Sequence, residues 1–244
     1  MNSTEGNGRV KLDLSELQEI SRGREVFYNF LSRSFEREID KPFLEMVTNL
    51  TPFLEDITKQ SDNDSLITGG KIVGEFSTSV CDLDSSAEEE LILELKRNFA
   101  YLFLIGKGAI PTCSSYYLSP DRLLKQEPYF YVLGTYREIG FVKPEHFKED
   151  EDHIALELLF MAVLSNLINR TIESGENIKA SKYLKLQLEF LEGHMLSWIP
   201  DACDRLVEIA EHREIYKGIA MLTSGFLAAD VEYLTHAEIF SSEG

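Results

Sequence analysis

Several scarcities narrow the roles open to this sequence. Its 244 residues include three cysteines, Cys81, Cys113 and Cys203, widely spaced and odd in number. No Cys-x-x-Cys pair or Cys/His set has zinc-ligand spacing, so neither a disulfide framework nor a structural metal is expected, and a reducing cytoplasm is the simplest setting. Basic residues are outnumbered, 24 Lys and Arg against 42 Asp and Glu, giving a formal charge of −18. A nucleic-acid surface needs a basic stripe that displaces counterions from phosphates, and an anionic membrane surface attracts the same kind of patch. The composition therefore argues against both partners. No Arg-Arg pair occurs, so no twin-arginine export signal of the chain's own is expected. The opening MNSTEGNG has no basic stretch leading into an apolar one, which argues against a signal peptide. No window approaches the run of about 20 apolar residues that suits a membrane span.

Catalytic patterns are also missing. Gly106-Lys107-Gly108 resembles a fragment of a phosphate loop, but Tyr101 stands where that loop needs glycine and Gly108 where it needs Ser or Thr. A flexible helix exit is the expectation there. Di-iron bundles use Glu-x-x-His on two helices; here only Asp150 and His153 have the spacing, and only once. Glu208/His212 and Glu232/His236 stand four apart and read as surface hydrogen bonds. No Gly-x-Ser-x-Gly elbow surrounds Ser114, Ser115 or Ser224. The expectation is a protein that is not an enzyme and holds no cofactor or metal. The enzymatic alternative is a helical metal-dependent or hydrolytic protein using Asp152, His153 and Glu157.

What the chain has in quantity is material for a helical core. Fifteen Phe and ten Tyr with abundant Leu and Ile exclude disorder, and the length suits one domain, with or without a small subdomain. Ser15 and Gln18 have capping-box spacing before Leu17, Ile20, Phe27, Phe30 and Leu31, predicting a helix over 15–36 behind a disordered N-terminus, 1–14. Thr51-Pro52 suggests a helix start, and the polar, glycine-ended stretch 60–70 a loop where an N-terminal subdomain over 15–60 would end. Ser86 and Glu89 form a second capping box for a helix ending at Gly106, and Glu88–Glu90 crowd its first turn. Ser119-Pro120 suggests another start, interrupted at Pro128.

The segment 150–174 is the most informative. Ile154 to Leu164 is apolar except at Glu157, so this helix is expected to be buried on every side and preceded by Asp150–Asp152 as an acidic first turn. Further helices are expected at about 179–198, 201–212 and 214–237. Only 129–133 could pass for a strand, and it would have no partner. The expected fold is all-α, a single-domain bundle of about ten helices around a buried central helix.

Three sites carry alternatives. The loop Pro111-Thr112-Cys113-Ser114-Ser115-Tyr116-Tyr117 reads either as a connection whose tyrosines cover the core or as a docking surface. Asp152-His153 reads either as a capped helix entry or as a polar pair beside a peptide groove. Phe190, His194 and Trp198, every fourth residue, read as a core stripe with one satisfied histidine.

These sites occur in an order that resembles the TorD/DmsD/NarJ family of redox-enzyme maturation chaperones. The resemblance rests on Tyr101 to Gly106 followed by Pro111-x-x-Ser114-x-Tyr116, on Tyr136 to Phe141, on Glu149 to His153, and on Phe190-x-x-x-His194-x-x-x-Trp198. It covers about residues 15–237. Asp150 departs from the family's proline and Cys113 from its frequent glutamate. The resemblance implies a cytoplasmic, all-helical chaperone, monomer or homodimer. Its partners would be the N-terminal leader, often a twin-arginine signal, and the apo-form of a molybdenum-cofactor oxidoreductase subunit, with no nucleic-acid partner and no stable membrane insertion. It would assist cofactor insertion and delay export. By that likeness Tyr101, Gly106, Pro111, Ser114, Tyr116, Asp152 and His153 line the leader site. A NarJ-like variant would instead serve a membrane-bound nitrate-reductase-type enzyme with no functional export signal.

Overall fold

The architecture follows from one helix that buries most of its circumference; Leu159 and Val163 are only partly covered, so the burial expected on every side is incomplete. In the computed structural model, which describes residues 10–11, 14–105 and 108–238, that helix is α7, Ile154–Glu173. Ten α-helices are present among the described residues. They are α1 (Leu14–Glu36), α2 (Lys41–Gln60), α3 (Asp64–Cys81), α4 (Ser85–Phe99), α5 (Ser114–Leu118), α6 (Glu127–Glu138), α7, α8 (Asn177–Gly193), α9 (Ile199–Ala210) and α10 (Glu214–His236). Strands β1 (Val10–Lys11) and β2 (Ala237–Glu238) pair in parallel, a minimal pairing that the helical pattern did not foretell. Among the described helices, α7 alone is long and apolar enough to cross a bilayer, with a mean hydropathy of 1.3. It is instead the core helix, with Leu156, Leu158, Phe160, Met161, Leu164 and Ile168 all fully buried.

Helix α1 lies antiparallel along α7. Ser32 Oγ donates to the Ala155 carbonyl at 2.7 Å, Asn166 Nδ2 donates to Glu25 Oε1 at 3.0 Å, and Arg22 meets Glu173 at 3.0 Å. A buried polar junction then joins four helices. Arg24 on α1 makes a two-pronged pair with Asp230 on α10, at 2.6 and 2.8 Å, and donates to Gln187 Oε1 on α8 at 2.8 Å. The Gln187 amide in turn donates to Met161 O and Ser165 Oγ on α7, each at 2.9 Å. Burial by itself would lower the Arg24 pKa, but Asp230 overrides it and holds the guanidinium firmly charged. A buried pair of this kind contributes little net stability when intact, yet removing one partner strands the other charge.

Several expected boundaries shift, each for a physical reason. Helix α1 begins at Leu14, which places Ser15 inside its first turn. Helix α2 is capped by Asp40, whose carboxylate accepts from Phe43 N at 3.0 Å, and it runs straight through Pro52. Thr51 is therefore not a cap; its hydroxyl donates to Val47 O and Ser77 Oγ. Helix α4 is capped by Asp84, accepting from Ala87 N at 2.9 Å, and not by Ser86. It ends at Phe99 in a π-helical turn, Ala100–Leu104, and Gly106 lies outside the described residues. Ser119-Pro120 opens no helix: residues 119–126 form turns in which Arg122 and Lys125 adopt positive φ, and Pro128 begins α6 instead of interrupting it. Residues 129–133 are helical. The described part of 1–14 includes β1, and residues 1–9 and 12–13 lie outside the description.

The predicted loop 60–70 is the largest correction. Only 61–63 is irregular, and Gly69 and Gly70 sit inside α3. Those glycines serve helix packing. A β-carbon on Gly69 would lie 2.5 Å from Leu222 N and 2.8 Å from Gly218 O of α10. On the facing helix, one on Gly218 would come within 2.7 Å of Ile72, and one on Gly225 would overlap the Leu66 backbone. Helices α3 and α10 thus approach backbone to backbone, antiparallel, through side chains reduced to hydrogen. We expect Gly69→Ala and Gly225→Ala each to lower the unfolding free energy in urea by about 1–3 kcal/mol through overpacking. Gly74→Ala, whose β-carbon meets nothing within 4 Å, should raise it by about 0.5–1 kcal/mol through helix propensity. Equal responses at the three positions would contradict the close approach.

Candidate functional site

The entry to α7 organises the region where most of the sequence-predicted residues meet. The loop before α5 runs antiparallel to the segment before α7, with Ser114 N donating to Asp152 O at 2.9 Å and Ile154 N donating to Thr112 O at 2.8 Å. Asp152 is fully buried. Its Oδ2 accepts from Ser115 N at 2.8 Å and faces Ser114 Oγ at 3.3 Å, while Oδ1 has no partner among the described residues. The acidic cluster 150–152 is therefore not the first turn of α7. Asp152 holds the start of α5, Asp150 pairs with Lys125 at 3.0 Å, and Glu151 pairs with Lys143 at 3.2 Å while accepting from Tyr129 OH.

His153 caps α7 itself. Its Nδ1 accepts from Ala155 N at 3.2 Å, and its ring stands edge-on to Phe147. Burial pushes its pKa down to about 3, so the ring is neutral and free to act as an acceptor. One turn on, the fully buried Glu157 joins the late aromatic stripe: Oε1 lies 2.9 Å from His194 Nε2, and Oε2 accepts from Trp198 Nε1 at 3.1 Å. Burial raises the Glu157 pKa, and His194 and the indole N–H oppose the shift. The expected single satisfied histidine is present, and its partner is the one acidic residue in the apolar run. Phe190 stacks on His194, completing the stripe.

In front of this buried brace lies a cavity of about 360 Å³ bounded by Leu118 to Asp121, Gln126 to Pro128, Tyr131, Gly193 and His194. Tyr131 reaches it from α6, its ring parallel to Phe190 and 5.2 Å from His194. The same segment exposes large apolar side chains: Leu123 is 56% exposed, Leu124 53% and Phe130 63%. Asp121 and Glu127 stand at the margin.

The structure gathers Pro111, Ser114, Tyr116, Asp152 and His153 around the α5 and α7 starts. Ser114, Asp152 and His153 are buried behind the surface, whereas Tyr116 is half-buried under Arg122 and packs edge-on against Tyr117. Tyr117 OH donates to Pro111 O, and its ring leans on Trp198. Tyr101 stands apart, half-exposed on the π-turn with Arg213 4.2 Å over its ring. Arg213 follows α9, whose other end adjoins Trp198, and twelve helical residues span about 18 Å. Sequence reasoning missed Tyr131 and the cavity wall at 118–128. The aromatic run Tyr129-Phe130-Tyr131 beside Leu123-Leu124 was the available signal, since so many large apolar side chains near turns seldom all find cover.

The enzymatic alternative finds no support in this geometry. Asp152, His153 and Glu157 are committed to main-chain and ring partners, and no cluster of three metal-binding side chains occurs among the described residues. The buried cap has a consequence for stability. Its folded pKa lies below the unfolded value of about 6.5, so its contribution is complete above that pH and is lost as pH falls toward 3. Between pH 7 and pH 5 the wild type should lose about 2 kcal/mol more unfolding free energy in urea than His153→Asn, which keeps a capping acceptor but does not titrate. Identical losses in the two proteins would mean that His153 is not held neutral.

Comparison with known proteins identifies the family. The profile of the family described as "Nitrate reductase delta subunit" matches residues 72–204. "Chaperone protein TorD" of Aliivibrio salmonicida is 27% identical over 228 residues, covering 91% of this chain and 99% of that protein. The protein of the same name from Psychrobacter sp. is 25% identical over 222 residues, 89% of this chain and 94% of its own length. That of Vibrio atlanticus reaches 30% over 180 residues, 70% of this chain and 80% of the relative. A profile spanning more than half the chain, with chaperones aligned along nearly all of it, makes the protein a member of the TorD family of chaperones.

Proposed function

We propose that this chaperone binds the N-terminal leader of a molybdenum-cofactor oxidoreductase catalytic subunit in the cytoplasm, assists cofactor insertion, and delays export until the subunit is mature. The observation that carries this reading is the α5–α6 surface, a cavity of about 360 Å³ lined by Tyr131, on a segment that also exposes Leu123, Leu124 and Phe130. A leader joins a basic stretch to an apolar one. Its apolar part would cover these side chains, and its basic part would lie toward Asp121 and Glu127 in the field of a chain carrying −18. Asp152, His153 and Glu157 act behind the surface in this reading, fixing the starts of α5 and α7 so that the cavity wall is formed before the peptide arrives. Pro111 and Tyr116 supply the loop and ring that continue the wall, and Tyr101 belongs to its distant margin.

A second reading is favoured by the description of the matching family profile. The client would be a membrane-bound reductase of the nitrate-reductase type, whose N-terminus is not an export signal. Exchange of twin arginines for lysines in the peptide separates the two, since only the first reading expects the exchange to weaken binding. Titration of a labelled leader peptide should show affinity falling at least about tenfold in Leu123→Ser/Leu124→Ser and in Tyr131→Ala, with helicity by circular dichroism unchanged. Wild-type affinity in both variants would remove the α5–α6 surface from the proposal. Absence of binding to every leader and to the apo-subunit would remove the function.

A further inference from the structure

Another part of the surface carries an unassigned binding feature. Between the first half of α1, the end of α2 and the end of α10 lies a groove of about 620 Å³. Its floor is apolar: Ile20, Phe53, Ile57 and Phe226 line it, with Phe53 packed against Phe27 and lying across Gly23. Its rim is of one sign, formed by Glu19, Asp56, Asp62 and Glu232. None of these four carboxylates has an ion-pair partner among the described residues, whereas Glu55, Glu75 and Glu189 all pair with lysines on their own helices. The cation closest to the floor, Arg24, is consumed by Asp230 and does not offset the rim. The Tyr233 hydroxyl, on a residue lining the groove, has no hydrogen-bond partner among the described residues.

We propose that this groove is a docking site for a basic amphipathic segment of a partner protein, distinct from the leader cavity, with which it shares no residue. Aliphatic side chains of such a segment would cover Ile20, Phe53 and Ile57, while flanking Lys or Arg residues meet the four carboxylates. Charge complementarity selects this occupant: unpaired carboxylates around an apolar floor repel nucleic acid, anionic lipid and acidic peptides and attract a cationic chain. The inference goes beyond leader binding and does not depend on it.

The test uses the full chain and a short labelled peptide repeating Leu-Lys-Lys-Leu, followed by fluorescence anisotropy at low and high salt. Binding is expected, weakened by salt, with none for the Leu-Glu-Glu-Leu counterpart. Reversal at the rim, Glu19→Lys/Asp56→Lys/Glu232→Lys, should lower affinity at least about tenfold, and Ile57→Ser alone should weaken it as well. A control reversal on exposed α4, Glu89→Lys/Glu90→Lys/Glu94→Lys, should leave affinity within about twofold, because it changes net charge equally without touching the groove. Helicity and leader affinity should be retained in the rim and Ile57 variants. Equal loss in the α4 control would show diffuse attraction and overturn the proposal, as would unchanged affinity in both groove variants. A solution dimer that dissociates on rim reversal would instead assign the groove to a second copy of this chain and overturn the proposed occupant.

Discussion

Burial of most of α7 is the constraint on which the rest of the structure depends; only a stripe through Leu159, Val163, Asn166 and Arg170 stays partly open. A helix that buries most of its circumference needs neighbours on most sides, and α1 and α8 supply much of the wall. It also needs an internal partner for every polar atom it carries, because an unmade hydrogen bond in such a place costs about 1–3 kcal/mol. Ser165 is met by Gln187, Asn166 by Glu25, and Glu157 by His194 and Trp198. The late aromatic stripe and the α7 entry are therefore parts of one arrangement. The start of the helix is its most enclosed part, where the loop before α5 is fastened by Asp152 and beyond which the cavity opens, while its far end reaches the surface at Arg170 and Glu173.

The surplus of negative charge divides into two populations. One is spent locally: Asp40 and Asp84 cap helices, Asp150 and Glu151 pair with lysines, and Asp230 balances Arg24. The other has no ion-pair partner among the described residues and stands beside apolar surface at the α5–α6 cavity and around the α1–α2–α10 groove. Acidity that only kept the chain soluble would have no reason to sit beside uncovered leucine, isoleucine and phenylalanine. Placed there, it selects among apolar partners by charge before any contact forms.

The helical periods were legible because burial imposes them directly. The spacing of Leu17, Phe27, Phe30 and Leu31 and the apolar run after His153 each placed a helix to within a few residues, and Phe190, His194 and Trp198 all lie buried. What misled was local chemistry used for a tertiary purpose. Gly69 and Gly70 look like a loop because glycine disfavours helix in isolation, and nothing near them in sequence announces that α10 will press on that spot. Pro52 looks like a start and is an interior residue, while Pro128 looks like an interruption and is a start. At the candidate site the residue types and their order were readable, but depth was not. Asp152 and His153 could equally have lined a groove or stood behind one, and burial separates those roles. Glu157 was visible as an exception in an apolar run, although its partners lie 37 and 41 residues away.

The separation of partners along the chain also dictates the order in which the molecule can be completed. Ser32 bonds a carbonyl 123 residues downstream, and Arg24 finds its carboxylate 206 residues downstream. A ribosome adding about 5–20 residues per second would release α1 long before α7 or α10 exists. Until then the apolar stripe of α1 and the charge of Arg24 have no home, so the first helix made is among the last to be settled. This all-helical protein should fold more like a non-local β-structure than like a bundle of neighbouring hairpins. Its own newborn chain spends that interval as an exposed amphipathic segment in need of cover.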